Sequence, residues 1–305
     1  ALAPGETVTL QAMIGHANDV ATLNRERARL AQGATMAAKR AEAQALTLDL
    51  TGPVATLTAD PRFDAYCRQS LLDNTLRGGW PVQLGGHIYH LYGRKHGDLE
   101  RDYNAFYLAP EFYPQGNANY RDVAQNRRSD VLLNPAAGDF DVLAFLGLIQ
   151  ADGYNPLVVN GSRFTVPPGR QAGLLALADR GEALRPLLSQ PFTPGGLLQG
   201  IAKGEIRLAV SPQEFIGSVL AQAEATFEAT FGEGYWVDHW IYNLDLLDAF
   251  LAVYPDRKDD LLYGRPVVPY FDSPAFVQPR SRKTVLAGPG KVRQYGAVVV
   301  DEEKA

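Results

Sequence analysis

A single cysteine, Cys67, stands in the 305 residues. That excludes an internal disulfide and any zinc site built on cysteine. Histidine is scarce as well, at five residues. His87 and His90 with Asp98 or Glu100 have ligand chemistry, but His-x-x-His in a loop lacks the helix that gives such spacing its meaning, and no metal is expected. Positive charge is not in excess: the net charge is -5 and the pI about 5.6, which argues against broad binding to nucleic acid. No apolar run approaches the roughly 18–20 residues of a membrane span. The start lacks the basic-then-apolar order of a signal peptide. There is no Walker loop, no dinucleotide glycine fingerprint and no Gly-x-Ser-x-Gly elbow. A reducing, cytoplasmic setting without membrane or nucleic-acid partners is the expectation.

What is present is an ordinary core composition, 46% hydrophobic, with fourteen Tyr, thirteen Phe and three Trp, ample for stacking on sugar rings as well as for packing. The opening "TVTLQAMIG" alternates apolar and polar residues like a strand that needs partners. Together with the β-like ending "QYGAVVVDEEKA", this suggests a piece of a longer polypeptide. Residues 17–45, rich in Ala, Arg, Glu and Leu, read as helix broken near Gly33.

"TADPRFDAYCRQSLLDNTLRGG" carries helix punctuation: Asp60 as N-cap, Pro61 at the first position, Gly78 to close. Residues 79–135 read as a long irregular, aromatic-rich region. "DFDVLAFLGLIQADGY" reads as a buried helix ending at Gly153. "GLLALADRGEALRPLLSQ" reads as helix up to Pro186. In "SPQEFIGSVLAQAEATFEATFGEG", Ser211, Pro212 and Glu214 make a capping box, and Phe215, Val219, Leu220, Ala223 and Phe227 line one helix face. "YWVDHWIYNLDLLDAFLAVYP" places Trp236, Trp240, Leu244, Leu247 and Leu251 on one stripe. Helices separated by polar loops, with little strand after the opening, point to a mainly α chain built from helical hairpins.

The densest chemistry is "GNANYRDVAQNRRSDVLLNP". Asp122 could move a proton, and Asn119, Arg121, Gln125 and Asn126 suit bidentate contacts with hydroxyls. Helix capping is the plain rival reading of Asp122. A second cluster, "GRKHGDLERDYN", gathers Asp98, Glu100 and Asp102, able to act as a base or grip vicinal hydroxyls, or simply to form surface ion pairs with Arg94, Lys95 and Arg101. A third, "GEGYWVDHW", sets Glu233, Asp238 and His239 beside Trp236 and Trp240, for which core packing is the rival.

"NYRDVAQNRRSDVLLNP", followed by an apolar helix and "LIQADGYNPL", resembles the catalytic segment of inverting carbohydrate phosphorylases of the cellobiose phosphorylase type, glycoside hydrolase family 94 and relatives. That segment typically reads Gly-(Phe/Tyr)-Arg-Asp-Ser-Asn-Gln-Asp. The resemblance makes Asp122 the general acid and matches Arg121 and Gln125 to its neighbours, whereas Ala124 and Asn126 depart from the pattern. "YWVDHWIYNLDLLDAFLAVYPD" is similar to the family's Asp-Asp-x-Leu-Trp helix, making Asp238 and Trp240 sugar contacts. Asn119, Trp80, Asp98, Glu100 and Asp102 complete the expected substrate-binding set. "LRGGWP" and "GRKHGDLERDYN" depart from the family and suggest a divergent branch, such as the β-glucan oligosaccharide phosphorylases.

The resemblance implies residues 1–16 as the end of an N-terminal β-sandwich, 17–48 as a helical linker and 49–305 as the first portion of an (α/α)6 barrel. It implies no cofactor, inorganic phosphate as co-substrate, an oligosaccharide substrate, and activity only with the remainder of the polypeptide. Family members are often homodimers. A general acid must carry its proton near neutral pH; burial favours that and an adjacent guanidinium opposes it. The rivals are an inverting hydrolase or transglycosylase, which needs a second carboxylate roughly 6.5–9.5 Å from the acid, and a non-catalytic carbohydrate-binding chain.

Overall fold

The structure is a computed structural model that describes residues 2–15, 17, 19–93, 108–230, 238–264, 272–294 and 298–304. The fold is mixed and mostly helical, with several small antiparallel sheets and, among the described residues, no barrel. No described helix is long and apolar enough to cross a membrane. The chain divides into two compact units, residues 1–73 and 74–305.

In the first unit, residues 6–15 form no strand where a sandwich strand is expected; Leu10 and Ile14 are 90% and 98% exposed. The helical reading of the next stretch holds, as α1 (Val20–Leu30) and α2 (Gly33–Thr51), and the break falls at Ala31–Gln32, next to Gly33. Asp60 starts α3 (Pro61–Gly78) by accepting the Arg62 backbone N–H on Oδ1 at 2.9 Å. Gly78 is the last helical residue; it is Gly79, with φ +83°, that takes the left-handed conformation.

The second unit adds several small antiparallel sheets to the mainly α expectation. Residues 79–135 are ordered over most of their described length. β1 (Trp80–Leu84) and β2 (His87–Leu91) form a hairpin. Its loop, Gly85–Gly86, has φ of +56° and +89°, the backbone a two-residue hairpin needs to match strand twist. A Cβ on Gly85 would lie 2.5 Å from the Ala221 nitrogen, so only glycine fits. β3 (Ala118–Asn119) leads into α4 (Tyr120–Arg127) and α5 (Asp130–Leu133), and α6 (Phe140–Gly147) follows. α6 stops well short of Gly153.

β4 (Val158–Thr165) is the spine, pairing antiparallel with β3 on one side and β5 (Glu224–Thr230) on the other. The register shifts between Val159 and Gly161, where Gly161 has φ +100° and the Ser162 N–H donates to Gln115 Oε1. That extra residue reverses which positions face inward. Val159 therefore buries into one core and Phe164 into the other.

The first core lies between the β1–β2 hairpin, β4 and α7 (Ala172–Leu175), α8 (Gly181–Ser189, with Pro186 inside it), α9 (Pro194–Lys203) and α10 (Pro212–Leu220). The Ser211–Glu214 capping box forms as expected. The helix does not continue to Phe227, however. Backbone groups of residues 224–230 pair with β4 instead, and Phe227 and Ala229 pack on the second core while Glu228 turns outward to Arg163 at 3.5 Å. Local helical spacing loses to a β-branched partner strand.

The second core is built by β3, α4, α6 and α11 (His239–Val253). The buried stripe of α11 is His239, Asn243, Leu246 and Phe250; Trp240 and Leu244 lie on the exposed side, a correction to the apolar stripe expected there. The remaining elements are β6 (Ala275–Val277) paired with β9 (Val298–Val300), and α12 (Arg280–Lys283) leading into the β7 (Thr284–Gly288)–β8 (Lys291–Gln294) hairpin.

Candidate functional site

Asn119 accepts the Arg121 backbone N–H on its Oδ1 at 3.1 Å and so serves as the N-cap of α4. Its side chain, expected at a sugar hydroxyl, is spent on the helix end. Asp122 is thereby released from the capping role that rivals its chemical one. Its Oδ1 accepts from Arg121 Nε at 3.0 Å, and the side chain is 18% exposed. Gln125, four residues after Arg121, is half-buried on the same side of the helix.

α11 packs against α4 and brings Asp238, at its N-terminal end, into the field of the same pair. The Arg121 guanidinium is held more firmly protonated first by its bond to Asp122, then by the fields of Asp122, Tyr242 and Asp238. Next to Asp238, His239 is buried and stacks on Tyr120 at 4.7 Å between ring centres. Its Nδ1 lies 2.8 Å from Asn155 Oδ1, which can only accept, so Nδ1 carries the hydrogen. Burial lowers its pKa to about 4, opposed by Asp238 and assisted by Arg121. The Tyr120 hydroxyl lies within donating reach of the Phe145 carbonyl (3.0 Å) and Asn243 Oδ1 (3.1 Å), tying α4 to α6 and α11.

Arg121, Asp122, Asp238, His239 and Tyr242 thus share one locality, an acid–base–cation cluster able to hold an anionic or hydroxylated ligand and to give up a proton. Trp240 follows His239 on α11 and is 39% exposed. Trp80 begins β1, beside Gly79, whose carbonyl accepts from Arg127 at the far end of α4 from Asp122. Asp98, Glu100 and Asp102, and likewise Glu233 and Trp236, lie outside the described residues. A groove of about 640 Å³ between α7 and α10, lined by Gly169, Leu177, Ser218 and Gln222 among others, holds none of the predicted residues.

A second polar cluster is almost wholly enclosed. His90 Nε2 lies 2.8 Å from Asp130 Oδ2 and 3.8 Å from Asp141 Oδ1. Arg127, 4% exposed, stands 3.7 Å from Asp130 and 3.9 Å from Asp141. Burial raises both carboxyls to about 7. Burial, then Arg127, lowers the imidazole to about 3. His90 is thus neutral, and its Nε2–H donates to Asp130. Sequence reading considered His90 with Asp98 or Glu100; the acids that meet it are Asp130 and Asp141, and only their unusual burial marks them.

Comparisons of the chain with protein-family models, curated proteins and solved structures find no match.

Proposed function

We propose that this chain carries the proton donor of a carbohydrate-active enzyme that cleaves a β-glucoside or β-glucan oligosaccharide by inverting phosphorolysis, with Asp122 as general acid. The observation that supports it most is the Arg121–Asp122 pair on α4, with Asp238 from a distant segment near enough for its field to act on Arg121. In this reading the helices belong to an (α/α)6 barrel that the rest of the polypeptide completes. Activity needs that remainder, and the setting is cytoplasmic.

Arg121 Nε holds Oδ1 and orients the carboxyl, leaving Oδ2 as the oxygen that would deliver the proton. That proton passes to the bridging oxygen as its bond to C1 breaks, and a phosphate oxygen forms the new bond to C1 from the opposite face. The products are a sugar 1-phosphate of inverted configuration and the shortened saccharide. Phosphate is already an anionic nucleophile, so no protein base is required, and cationic groups are needed to hold it. Arg121, 43% exposed, is suited to a hydroxyl or an anion near Asp122.

The test uses the polypeptide that carries this chain, supplied with β-linked gluco-oligosaccharides with and without phosphate. Sugar 1-phosphate should form only when phosphate is present, and Asp122→Asn should lower turnover by about 10²–10⁴-fold with oligosaccharide binding retained. Equal cleavage without phosphate would make it an inverting hydrolase, with Asp98, Glu100 and Asp102 the candidate bases. Binding without turnover in the wild type would leave a carbohydrate-binding chain.

A further inference from the structure

We propose that His90, Asp130 and Asp141 form a binding site for a first-row divalent transition-metal ion, of which Zn²⁺ is the natural probe. The inference stands independently of the reading of Asp122. The three residues come from β2, α5 and α6, and one donor atom from each lies within 4.8 Å of the others. An ion with bonds of about 2.0–2.2 Å holds tetrahedral donors about 3.4 Å apart, so closing on the ion requires side-chain shifts of well under 2 Å. One imidazole nitrogen and two carboxylates suit zinc or its neighbours. Calcium would need about 6–8 oxygens, and magnesium keeps its waters.

A cluster of acids alone would not carry this. Asp141 adds an independent sign: it is 5% exposed, and its Oδ1 is buried with no hydrogen-bond partner. The Asp141 carboxyl is hydrogen-bonded to that of Asp130, and the N–H donors near its bare Oδ1 are committed elsewhere. The His90 Nε2–H goes to Asp130 at 2.8 Å. Arg127 gives Nη2 to the Tyr92 hydroxyl at 2.9 Å and Nη1 to the Gly79 carbonyl, and its Nε stays 3.9 Å from Asp141. A network built only to hold a proton would not leave a carboxylate oxygen bare, since a buried unsatisfied acceptor costs about 1–3 kcal/mol. A metal ion fills that position. It takes the Nε2 lone pair of His90, the ring hydrogen moving to Nδ1, and it releases any proton shared by the two acids. Arg127 keeps one positive charge beside the ion, which weakens the site and further selects for ions that bond strongly to nitrogen and oxygen.

The experiment is a Zn²⁺ titration of chelator-stripped protein by calorimetry, with X-ray absorption at the zinc edge of the loaded sample. One ion per chain is expected, with proton release, a raised melting temperature and a first shell containing one imidazole and oxygens at about 2.0–2.1 Å. Asp141→Asn should weaken binding by about 100-fold or more. Absence of stoichiometric binding by the wild type would overturn the proposal, as would unchanged affinity in a folded Asp141→Asn variant. If that variant does not fold, the absorption spectrum decides: a shell without imidazole, or one containing sulfur, overturns it.

Discussion

The core closed by α8, α9 and α10 is filled mainly with aliphatic and phenyl side chains, with Tyr89, Gln171 and Thr193 buried among or beside them. The core beneath α4, α6 and α11 buries Tyr120, His239 and Asn243 among its apolar residues, with Arg127 and Asp141 nearby. β4 contributes to both, and one bulge at Gly161 decides which of its side chains goes where. The difference separates two jobs. The first core is held by area removed from water, which is non-directional and tolerant of replacement by similar volume. The second is held by groups that are stable only while each finds a particular partner. Chemistry requires groups of the second kind, so the candidate proton donor and the candidate metal ligands both sit around the polar core.

The largest test of this contrast pairs one residue from each. Phe215→Ala should cost about 3–5 kcal/mol by cavity formation, whereas Phe215→Leu, which keeps much of the volume, should recover most of that loss. Arg127→Met keeps volume as well, yet should cost about 3–5 kcal/mol, because it strips the cation from two buried carboxyls. Urea unfolding of the three variants at one pH measures all of this. A cost under about 1 kcal/mol for Arg127→Met would mean that the polar core tolerates repacking as the apolar one does.

The same contrast explains what the sequence makes legible. Features written in neighbouring residues are readable: the Asp60–Pro61 helix start, the Ser211–Glu214 box and the break before Gly33 all form. The Gly85–Gly86 hairpin was equally local, signalled by two glycines between "WPVQL" and "HIYHL", and a reading that treats residues 79–135 as irregular passes over it. Features that depend on a distant partner are not readable. Residues 224–230 have helical spacing and become a strand because β4 supplies the pairing. The α11 stripe is misassigned because its buried face is the one with His239 and Asn243, polar residues whose burial depends on Tyr120 and Asn155. For the site, the Arg121–Asp122 pair is a sequence-local unit and Asp238 joins it; the His90–Asp130–Asp141 group is assembled from three elements and is invisible until they fold.

A middle-sized effect concerns His239. Its folded pKa, about 4, lies below the usual 6.5, so the unfolded chain takes up a proton first as pH falls. The neutral imidazole's contribution is present above about 6.5 and is lost as pH drops through 4, amounting to about 3 kcal/mol. Asp238, Asp122 and Arg121 face this ring, so the measurement must be a difference: stability against pH for wild type and for His239→Gln. The acid-side slope between about pH 6.5 and 4 should be shallower in the variant. Parallel curves would show that the ring is not held neutral by its burial.

The smallest effect separates structure from chemistry most cleanly. Ser211 caps α10 on the apolar side of the molecule and Asn119 caps α4 beside Asp122. Both use a side-chain oxygen on a backbone N–H, so Ser211→Ala and Asn119→Ala should each cost about 1 kcal/mol. Their consequences for turnover should differ. Freeing the first turn of α4 loosens Arg121 and Asp122, and a misplacement on the order of 1 Å at a reacting group costs about 100-fold in rate. Freeing α10 moves nothing near the acid. Equal stability losses with a turnover defect confined to Asn119→Ala would tie Asn119 to the geometry of the proton donor. Equal turnover in both would show that Asp122 is positioned by its bond to Arg121 and the packing of α11, with the cap serving the helix alone.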